Sequence, residues 1–153
     1  MRKVAGFPEV WKFGTLERAT RGTPILLVAD ATAAAGLRRY STLRAQSTSA
    51  GYQVTAGRTL IITRVIYRAT ASGLVWQFSY GDDDVGRASA VAPTNEVGID
   101  SMILTVGSVL IANSAGTPYT TDYYITVPAG KYLAIAHQQA SDALHVLALG
   151  VEV

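Results

Sequence analysis

One short phrase occurs twice in the chain, and it indicates the fold. Residues 54–62 read Val-Thr-Ala-Gly-Arg-Thr-Leu-Ile-Ile, and residues 127–135, which begin 73 positions later, read Val-Pro-Ala-Gly-Lys-Tyr-Leu-Ala-Ile. Each copy has the pattern of a strand end, a glycine turn, a basic residue and an apolar strand. Repeated corners of this kind are typical of a β-sandwich. Because the flanking segments do not match, we interpret the copies as two similar corners and not as a gene duplication.

The residues of the second copy suit a tight turn. Pro128 fixes φ at about −65°, which predicts that it occupies the first central position of a type I turn. Gly130 can adopt the left-handed conformation that closes such a connection. The basic residues that follow the two glycines, Lys131 and Arg58, are predicted to point to solvent at the rim of the sheet.

Composition predicts one domain with a substantial core and few charges. The chain has 153 residues, of which 49% are hydrophobic and 16% are charged. This charged fraction is below the share of about 25% that is usual for globular domains. A surface with so few charges suits a protein that buries part of it against partners. A thick, well-buried sandwich explains the same composition equally well.

The residue types also limit the chemistry and the cellular setting. The chain has no cysteine, which excludes disulfides, thiolate catalysis and cysteine-ligated metals. No apolar run approaches the roughly 20 residues of a membrane-spanning helix. The N-terminus lacks the apolar core of a signal peptide. We therefore expect no membrane association and no export.

Charge is distributed unevenly along the chain. Residues 1–50 contain eight basic and three acidic residues, whereas residues 51–153 contain five basic and eight acidic ones. This asymmetry predicts a basic N-terminal arm over residues 1–50, with one or two short strands, and a β-sandwich body over residues 51–153. Such an arm suits nucleic acid or an acidic neighbouring subunit, and an ordinary solvated surface is the alternative.

The first 22 residues mix aromatic and basic side chains without a regular period. Pro8 and Gly14 disfavour a helix, so we predict an extended segment whose aromatic side chains need a surface to lie on. That surface belongs either to the body of the same chain or to another subunit. The candidate partner-binding residues of this segment are Arg2, Lys3, Phe7, Trp11, Lys12 and Phe13.

The rest of the chain alternates strand and turn signals. One helical turn is predicted from Asp30 to Gly36, with Asp30 as its N-cap, and a long loop is predicted over residues 85–100. This pattern predicts an all-β fold, a jelly-roll-like antiparallel β-sandwich preceded by an extended N-terminal arm, with an immunoglobulin-like sandwich as the main alternative. Strands are predicted over residues 23–29, 37–43, 60–69, 74–80, 101–113, 123–127, 132–137 and 144–153.

No residue pattern predicts a catalytic or metal centre. The two histidines, His137 and His145, show no ligand spacing and are expected to face inward or to lie at strand ends. The run Asp82-Asp83-Asp84 lacks the calcium-loop pattern and is interpreted as a hydrated turn. Nucleophile-elbow, P-loop and dinucleotide motifs are absent from the sequence. We therefore expect no enzymatic activity, no cofactor and no metal.

Two groups of surface residues are candidates for an interface: Arg38 and Arg39, and the tyrosines Tyr119, Tyr123 and Tyr124. The tyrosines either pack in the core and at its rim, or stack on sugars together with Trp76, or anchor a partner. The arginines lie in a basic stretch with Tyr40 and Arg44. Because no nucleic-acid-binding motif surrounds this stretch, we do not expect direct nucleic-acid binding.

A basic arm, a small cysteine-free sandwich and a low charge fraction together resemble the decoration or cement proteins of tailed-bacteriophage heads. The most specific elements of this resemblance are the corners at residues 54–58 and 127–131. The resemblance implies a virion structural protein on the capsid surface, made in the host cytoplasm. It also implies binding to the major capsid protein and self-association as a homotrimer. The alternative is a fibre-head, carbohydrate-binding or receptor-binding module.

Overall fold

All regular structure in the described part of the chain is β-strand. The computed structural model describes residues 22–32, 38–70, 74–99, 110–112, 118–137 and 143–153. These residues include no helix, and therefore none long enough to span a membrane. The strands are β1 (Thr23–Thr32), β2 (Arg39–Thr42), β3 (Arg44–Ala45), β4 (Leu60–Ala69), β5 (Leu74–Gly81), β6 (Val97–Gly98), β7 (Leu110–Ala112), β8 (Tyr119–Val127), β9 (Tyr132–His137) and β10 (Ala143–Glu152).

The strands form two antiparallel sheets with jelly-roll connectivity. Sheet A has the order β3-β1-β10-β4-β8, and sheet B has the order β2-β9-β5-β6, with β7 also paired to β5. When the two-residue strands β3 and β6 are set aside, the orders are β1-β10-β4-β8 and β2-β9-β5-β7. Successive strands thus alternate between the sheets except at β5 and β7, which are neighbours in sheet B, and this is the connectivity of a jelly roll. The predicted fold class is confirmed.

A row of aromatic rings joins the two sheets through the core. The Tyr67 ring of β4 lies 5.1 Å from the Trp76 ring of β5 in an edge-on arrangement, and Trp76 lies 5.0 Å from Phe78. On its other side, Tyr67 stacks on Tyr119 of β8 with the centroids 5.5 Å apart. Such ring pairs add about 0.5–1.5 kcal/mol each beyond the area they bury. The sheets are therefore held together by directional contacts as well as by aliphatic packing.

Both turns of the repeated phrase use glycine in the left-handed conformation, as predicted. The φ angle is +75° at Gly57 and +76° at Gly130. The Lys131 amide donates a hydrogen bond to the Pro128 carbonyl oxygen at 3.3 Å, so Pro128 is the first residue of its turn. The predicted central position of Pro128 is therefore wrong. Ala129 occupies it instead, because a turn closed between residues 128 and 131 places Gly130 where positive φ is required.

The two corners contact each other. The Val54 amide donates to the Lys131 carbonyl at 3.0 Å, and the Val54 carbonyl accepts from the Gly130 amide at 2.8 Å. Gln53 adds a side-chain hydrogen bond to the Gly130 carbonyl at 3.0 Å. Arg58 is exposed, as predicted, but Lys131 is half-buried because it forms an ion pair with Asp82. The two similar phrases thus close one end of the sandwich together.

The first strand is longer than predicted. Asp30, the predicted helix N-cap, lies within β1, and the next two residues, Ala31 and Thr32, pair with Leu144 and Ala143 of β10. The helix-cap prediction is wrong because this ladder outweighs the local helix preference of an alanine-rich stretch. The rest of the predicted helical turn, residues 33–37, lies outside the described residues.

The segment predicted to be the basic arm contributes strands to both sheets. β1 pairs with β10 along its full length, and β2 pairs with β9 at the edge of sheet B. Residues 1–21 lie outside the described residues, and so do most of the residues of the strand predicted over 101–113. All six candidate partner-binding residues fall in that first stretch, namely Arg2, Lys3, Phe7, Trp11, Lys12 and Phe13.

Replacement of Gly130 tests the turn. Gly130→Ala should lower the free energy of unfolding by about 1–2 kcal/mol, because L-residues disfavour the left-handed region. No atom lies within 4 Å of a Cβ built at this position, so a steric clash does not add to the loss. Gly98→Ala is the matched control, since its Cβ would lie 3.8 Å from the nearest atom. Urea denaturation measures the free energy of unfolding of both variants. An equal loss of stability in the two variants would contradict the turn assignment.

Candidate interaction surface

The loop over residues 82–99 pairs with the free edge of β2 in sheet B. The backbone amides of Tyr40 and Ser89 each donate to the other's carbonyl, at 2.9 and 2.8 Å. The Val85 amide donates to the Thr42 hydroxyl at 3.0 Å. Small side chains on the outer face of sheet B are fully buried, with Ala134 0% exposed and its neighbours similar. The loop therefore extends sheet B at the free edge of β2, and its Glu96 accepts a hydrogen bond from the Tyr40 hydroxyl at 3.4 Å.

The predicted acidic turn holds this loop in place. The Asp84 carboxylate accepts hydrogen bonds from the amides of Gly51 at 2.7 Å and Gly86 at 2.8 Å. Burial alone would raise the pKa of Asp84, but these bonds outweigh it and hold the pKa below its ordinary value of 3.8. Asp82 forms the ion pair with Lys131. The acidic residues thus anchor backbone, and among the described residues no group of acidic and histidine side chains could hold a metal ion.

The outer face of sheet A differs, because apolar side chains remain half-exposed on it. The strand register places them in rows across the sheet. Leu26 of β1 lies opposite Leu149 of β10, and Val28 lies opposite Leu147, which in turn lies opposite Ile66 of β4. All five are half-exposed, and we refer to them as the apolar stripe. The alternate residues of the same strands point to the core, as the pleat requires.

Charged side chains border the apolar stripe. Next to Leu149, the exposed Arg64 forms an ion pair with Asp122 of β8 at 2.9 Å. An exposed pair of this kind contributes little to stability, about 0–1 kcal/mol. At the other end of the stripe, His145 of β10 and Arg68 of β4 lie opposite each other and are exposed. The stripe is therefore an apolar band bordered by charged and polar side chains.

Asp30 and two arginines close the β1 edge of this face. The Asp30 carboxylate lies 2.7 Å from the Arg44 guanidinium and 3.4 Å from that of Arg87. Burial alone would raise the pKa of Asp30, but the hydrogen bond and charge of Arg44, with Arg87 and His145, hold it below its ordinary value of 3.8. Arg44 is only 8% exposed. It is thus engaged within the fold and not free to contact phosphate.

Two open clefts flank the stripe. The first cleft, of about 270 Å³, lies over β1, β10 and β4 at the His145 end of the face. The second, of about 370 Å³, lies between β10 and β8. The walls of the first include Val28, Ile66, Arg68, Pro118, His145 and Leu147. Those of the second are Thr63, Arg64, Asp122, Tyr124 and Leu149. Both clefts are suited to accept the side chains of a partner segment.

The predicted interface residues lie on two different sheets. Arg39 is in β2 at the edge of sheet B, and the guanidinium of Arg38 lies 5.3 Å from the centroid of the Tyr40 ring. The three tyrosines, Tyr119, Tyr123 and Tyr124, all lie in β8 at the edge of sheet A. The structure therefore does not bring the arginines and the tyrosines into one patch.

Trp76 and Tyr119 are engaged within the fold and do not form a platform for sugars. Trp76 is 1% exposed, so its proposed role in stacking on a ligand is wrong. Its ring is instead needed between the sheets, where it contacts Tyr67. Tyr119 stacks within the core, whereas Tyr124 is 59% exposed and lines the second cleft. Of the predicted candidates, Tyr124 is thus the one with a described aromatic side chain on the outer face of sheet A.

The stripe was not predicted from the sequence, although β10 contains a signal for it. Residues 144–151 are apolar at odd and even positions alike, with His145 as the polar exception. A strand with one face in water alternates apolar and polar residues, whereas a strand covered on both faces is apolar throughout. The composition of β10 therefore indicates that something packs on both sides of sheet A.

Comparisons with known proteins provide no evidence about the role of this chain. No family model and no curated protein matches the chain. A chain from a structure of infectious bursal disease virus, Gx strain, is 15% identical over 84% of this chain and 32% of the viral chain, with a TM-score of 0.34. This chain thus spans about a third of that viral chain. A likeness at this level says nothing about role.

A matched pair of substitutions tests which side chains face the core. Val146→Thr should lower the free energy of unfolding by about 1–3 kcal/mol, because it buries a hydroxyl group at a position that is 3% exposed. Val28→Thr makes the same chemical change on the half-exposed outer face and should cost less than about 1 kcal/mol. Urea denaturation gives both values. A larger loss for Val28→Thr would contradict the assignment of the two faces.

Proposed function

We propose that this chain is a non-enzymatic virion structural protein that decorates the assembled phage head and stabilises it. The observation that supports this most is a jelly-roll sandwich in which sheet A carries the apolar stripe on its outer face. One apolar face of each sheet suffices to build the core of a sandwich. The apolar stripe on the second face of sheet A is therefore best explained by attachment to another segment or subunit.

The fold alone allows three kinds of role, because jelly rolls occur in viral capsid proteins, lectins and cupins. Because this is an analogy of fold alone, the surface residues must distinguish among the three roles. A cupin-type site needs clustered metal ligands, and the described residues contain none. A lectin-type site would use an exposed aromatic platform, whereas Trp76 is buried and the partly buried Tyr119 stacks on Tyr67. An assembly role is the one that uses the apolar face.

The proposed mechanism is stabilisation by binding. A protein that binds the assembled shell, and not its free subunits, stabilises the shell by about 2.7 kcal/mol per site at a concentration one hundred times Kd. As a homotrimer, the protein would bind the major capsid protein at several points and gain from effective concentration. Phe7, Trp11 and Phe13 would supply apolar anchors, and the nearby Arg2, Lys3 and Lys12 would steer the segment toward an acidic shell.

Binding to isolated phage heads tests this function. In the first experiment, phage heads are purified from cells that express the chain and are analysed for its presence. In the second, the labelled protein is titrated onto phage heads that lack it. We expect saturable binding that Phe7→Ser weakens about tenfold or more, because burial of a phenylalanine contributes about 1.5–3 kcal/mol. Val91→Ser is the matched control, since Val91 is 71% exposed on the loop over residues 82–99, and it should bind normally.

Two results would each refute one part of the proposal. A protein that is absent from the heads and does not bind them would exclude the decoration role. Binding that is equal for the native protein and Phe7→Ser would exclude the N-terminal anchors. Sedimentation equilibrium tests the homotrimer, for which we expect three times the 16.2 kDa mass of one chain.

A further inference from the structure

We propose that the free edge of β8 binds an extended segment of the shell protein, which joins sheet A as an additional strand. The segment would pair with β8 through backbone hydrogen bonds, on the side of β8 that faces away from β4. This inference rests on the proposed function and names a contact by which the sandwich is attached. The added strand would lie beside β8, so the outer face of sheet A stays open.

β8 is a long strand that is paired on one side. It spans Tyr119–Val127 and is the last strand in the order of sheet A. Among the described residues, β4 is the one strand that pairs with it. An edge strand presents a row of backbone amides and carbonyls that can pair with another chain. The group that such a row recognises is an extended backbone.

The other sheet edges in the described part of the chain are blunted. β3, β6 and β7 contain two or three residues each, and the loop over residues 82–99 pairs with β2 at Tyr40. Beyond its short pairing with β3, β1 contains Pro24, which has no amide to donate, and the ion-paired Asp30. Short strands, proline, charged side chains and covering loops are the devices by which soluble proteins prevent pairing at edges. β8 is long and contains no proline, so it differs from these edges.

The residues of β8 also suit a strand that accepts a partner. Residues 119–127 read Tyr-Thr-Thr-Asp-Tyr-Tyr-Ile-Thr-Val, so all but one are aromatic or β-branched. The exception, Asp122, is ion-paired with Arg64. Aromatic and β-branched side chains favour strands and form stabilising cross-strand pairs. Because this ion pair leaves the edge electrically neutral, we expect an uncharged partner segment that is rich in the same residue types.

The hydrogen bonds at the start of β4 show which backbone groups of β8 face outward. The amides of Thr59 and Val153 each donate to the other's carbonyl, at 2.7 and 3.0 Å. Backbone groups alternate in direction along an antiparallel strand, so those of Leu60 point away from β10 and toward β8. Leu60 lies opposite Val127, whose backbone groups therefore point to β4. The amide and carbonyl of the preceding residue, Thr126, consequently point to the free edge.

An added strand would also contact side chains of β8. Tyr124 and Thr126 are exposed, whereas Ile125 and Val127 are buried and point to the core. Tyr124 is 59% exposed and lines the second cleft. A side chain of the added strand that lies opposite Tyr124 would pack against its ring. The partner would thus cover an aromatic side chain that is exposed in the isolated chain.

A second copy of the chain is the alternative occupant of this edge. Two β8 strands can pair antiparallel about a two-fold axis, but such an isologous contact closes as a dimer. A ring of three copies would need β8 to pair with a different edge of the next copy, and the other described edges are short or blunted. The shell protein is therefore the occupant that agrees with the proposed homotrimer.

Hydrogen exchange in the free full-length protein tests the edge without phage heads. Measured by NMR, the Thr126 amide should exchange at least about tenfold faster than the Val127 amide, which bonds to β4. Equally slow exchange of the two amides would show that the edge is already covered and would overturn the inference. Slow exchange of Thr126 that becomes fast on dilution would assign the edge to a second copy and would overturn it too.

Titration onto phage heads that lack the chain tests the docking. Thr126→Pro removes the outward amide and places its ring at the edge, while the hydrogen bonds to β4 are kept. We expect this variant to bind the heads about tenfold or more weakly than the native protein. Thr126→Val is the matched control, because it keeps the amide and the β-branched shape, and it should bind normally. Urea denaturation checks that both variants are folded.

The outcomes separate this inference from the proposed function. Equal binding by Thr126→Pro and Thr126→Val would overturn the docking at β8 and leave the decoration role intact. Failure of the native protein to bind would refute the decoration role and this inference with it. A second readout needs no substitution: exchange of the Thr126 amide in the native protein should slow several-fold on phage heads, as measured by mass spectrometry. Unchanged exchange in bound protein would contradict the docking.

Discussion

The pairing of β10 on both sides is the constraint on which the structure depends. β10 lies between β1 and β4 and pairs with both along most of its length. Its inward residues Leu144, Val146 and Ala148 build the core, and its outward residues Leu147 and Leu149 are apolar as well. A strand fixed in the centre of a sheet cannot turn its second apolar face away from solvent. The fold therefore presents the apolar stripe on the outer face of sheet A.

The outer faces of the two sheets differ. Sheet B has small residues on its outer face, and the chain's own loop, anchored by Asp84, pairs with its free edge at β2. Sheet A has larger aliphatic residues in the same position, with two open clefts between charged borders. An apolar band of this kind marks a contact surface in most soluble proteins. The low charge fraction of the whole chain has the same explanation.

Sequence patterns predicted the strands well where alternation or β-branched residues were strong. β4 and β9 have the predicted bounds, Leu60–Ala69 and Tyr132–His137, because few competing signals interrupt them. The end of β1 was missed, because its alanines favour a helix locally and only the ladder with β10 overrides that preference. The apolar stripe was missed for a related reason: its rows combine residues from three strands, and strand neighbours and register cannot be read from one strand alone.

The most direct test of this account is the solvent accessibility of the stripe methyl groups in the full-length protein. Relaxation by a soluble paramagnetic agent can be measured by NMR for Val28, Leu147 and Leu149. The account predicts several-fold greater relaxation of these methyl groups than of those of the core residue Leu27, which is 1% exposed. Relaxation of the stripe methyl groups equal to that of Leu27 would contradict it.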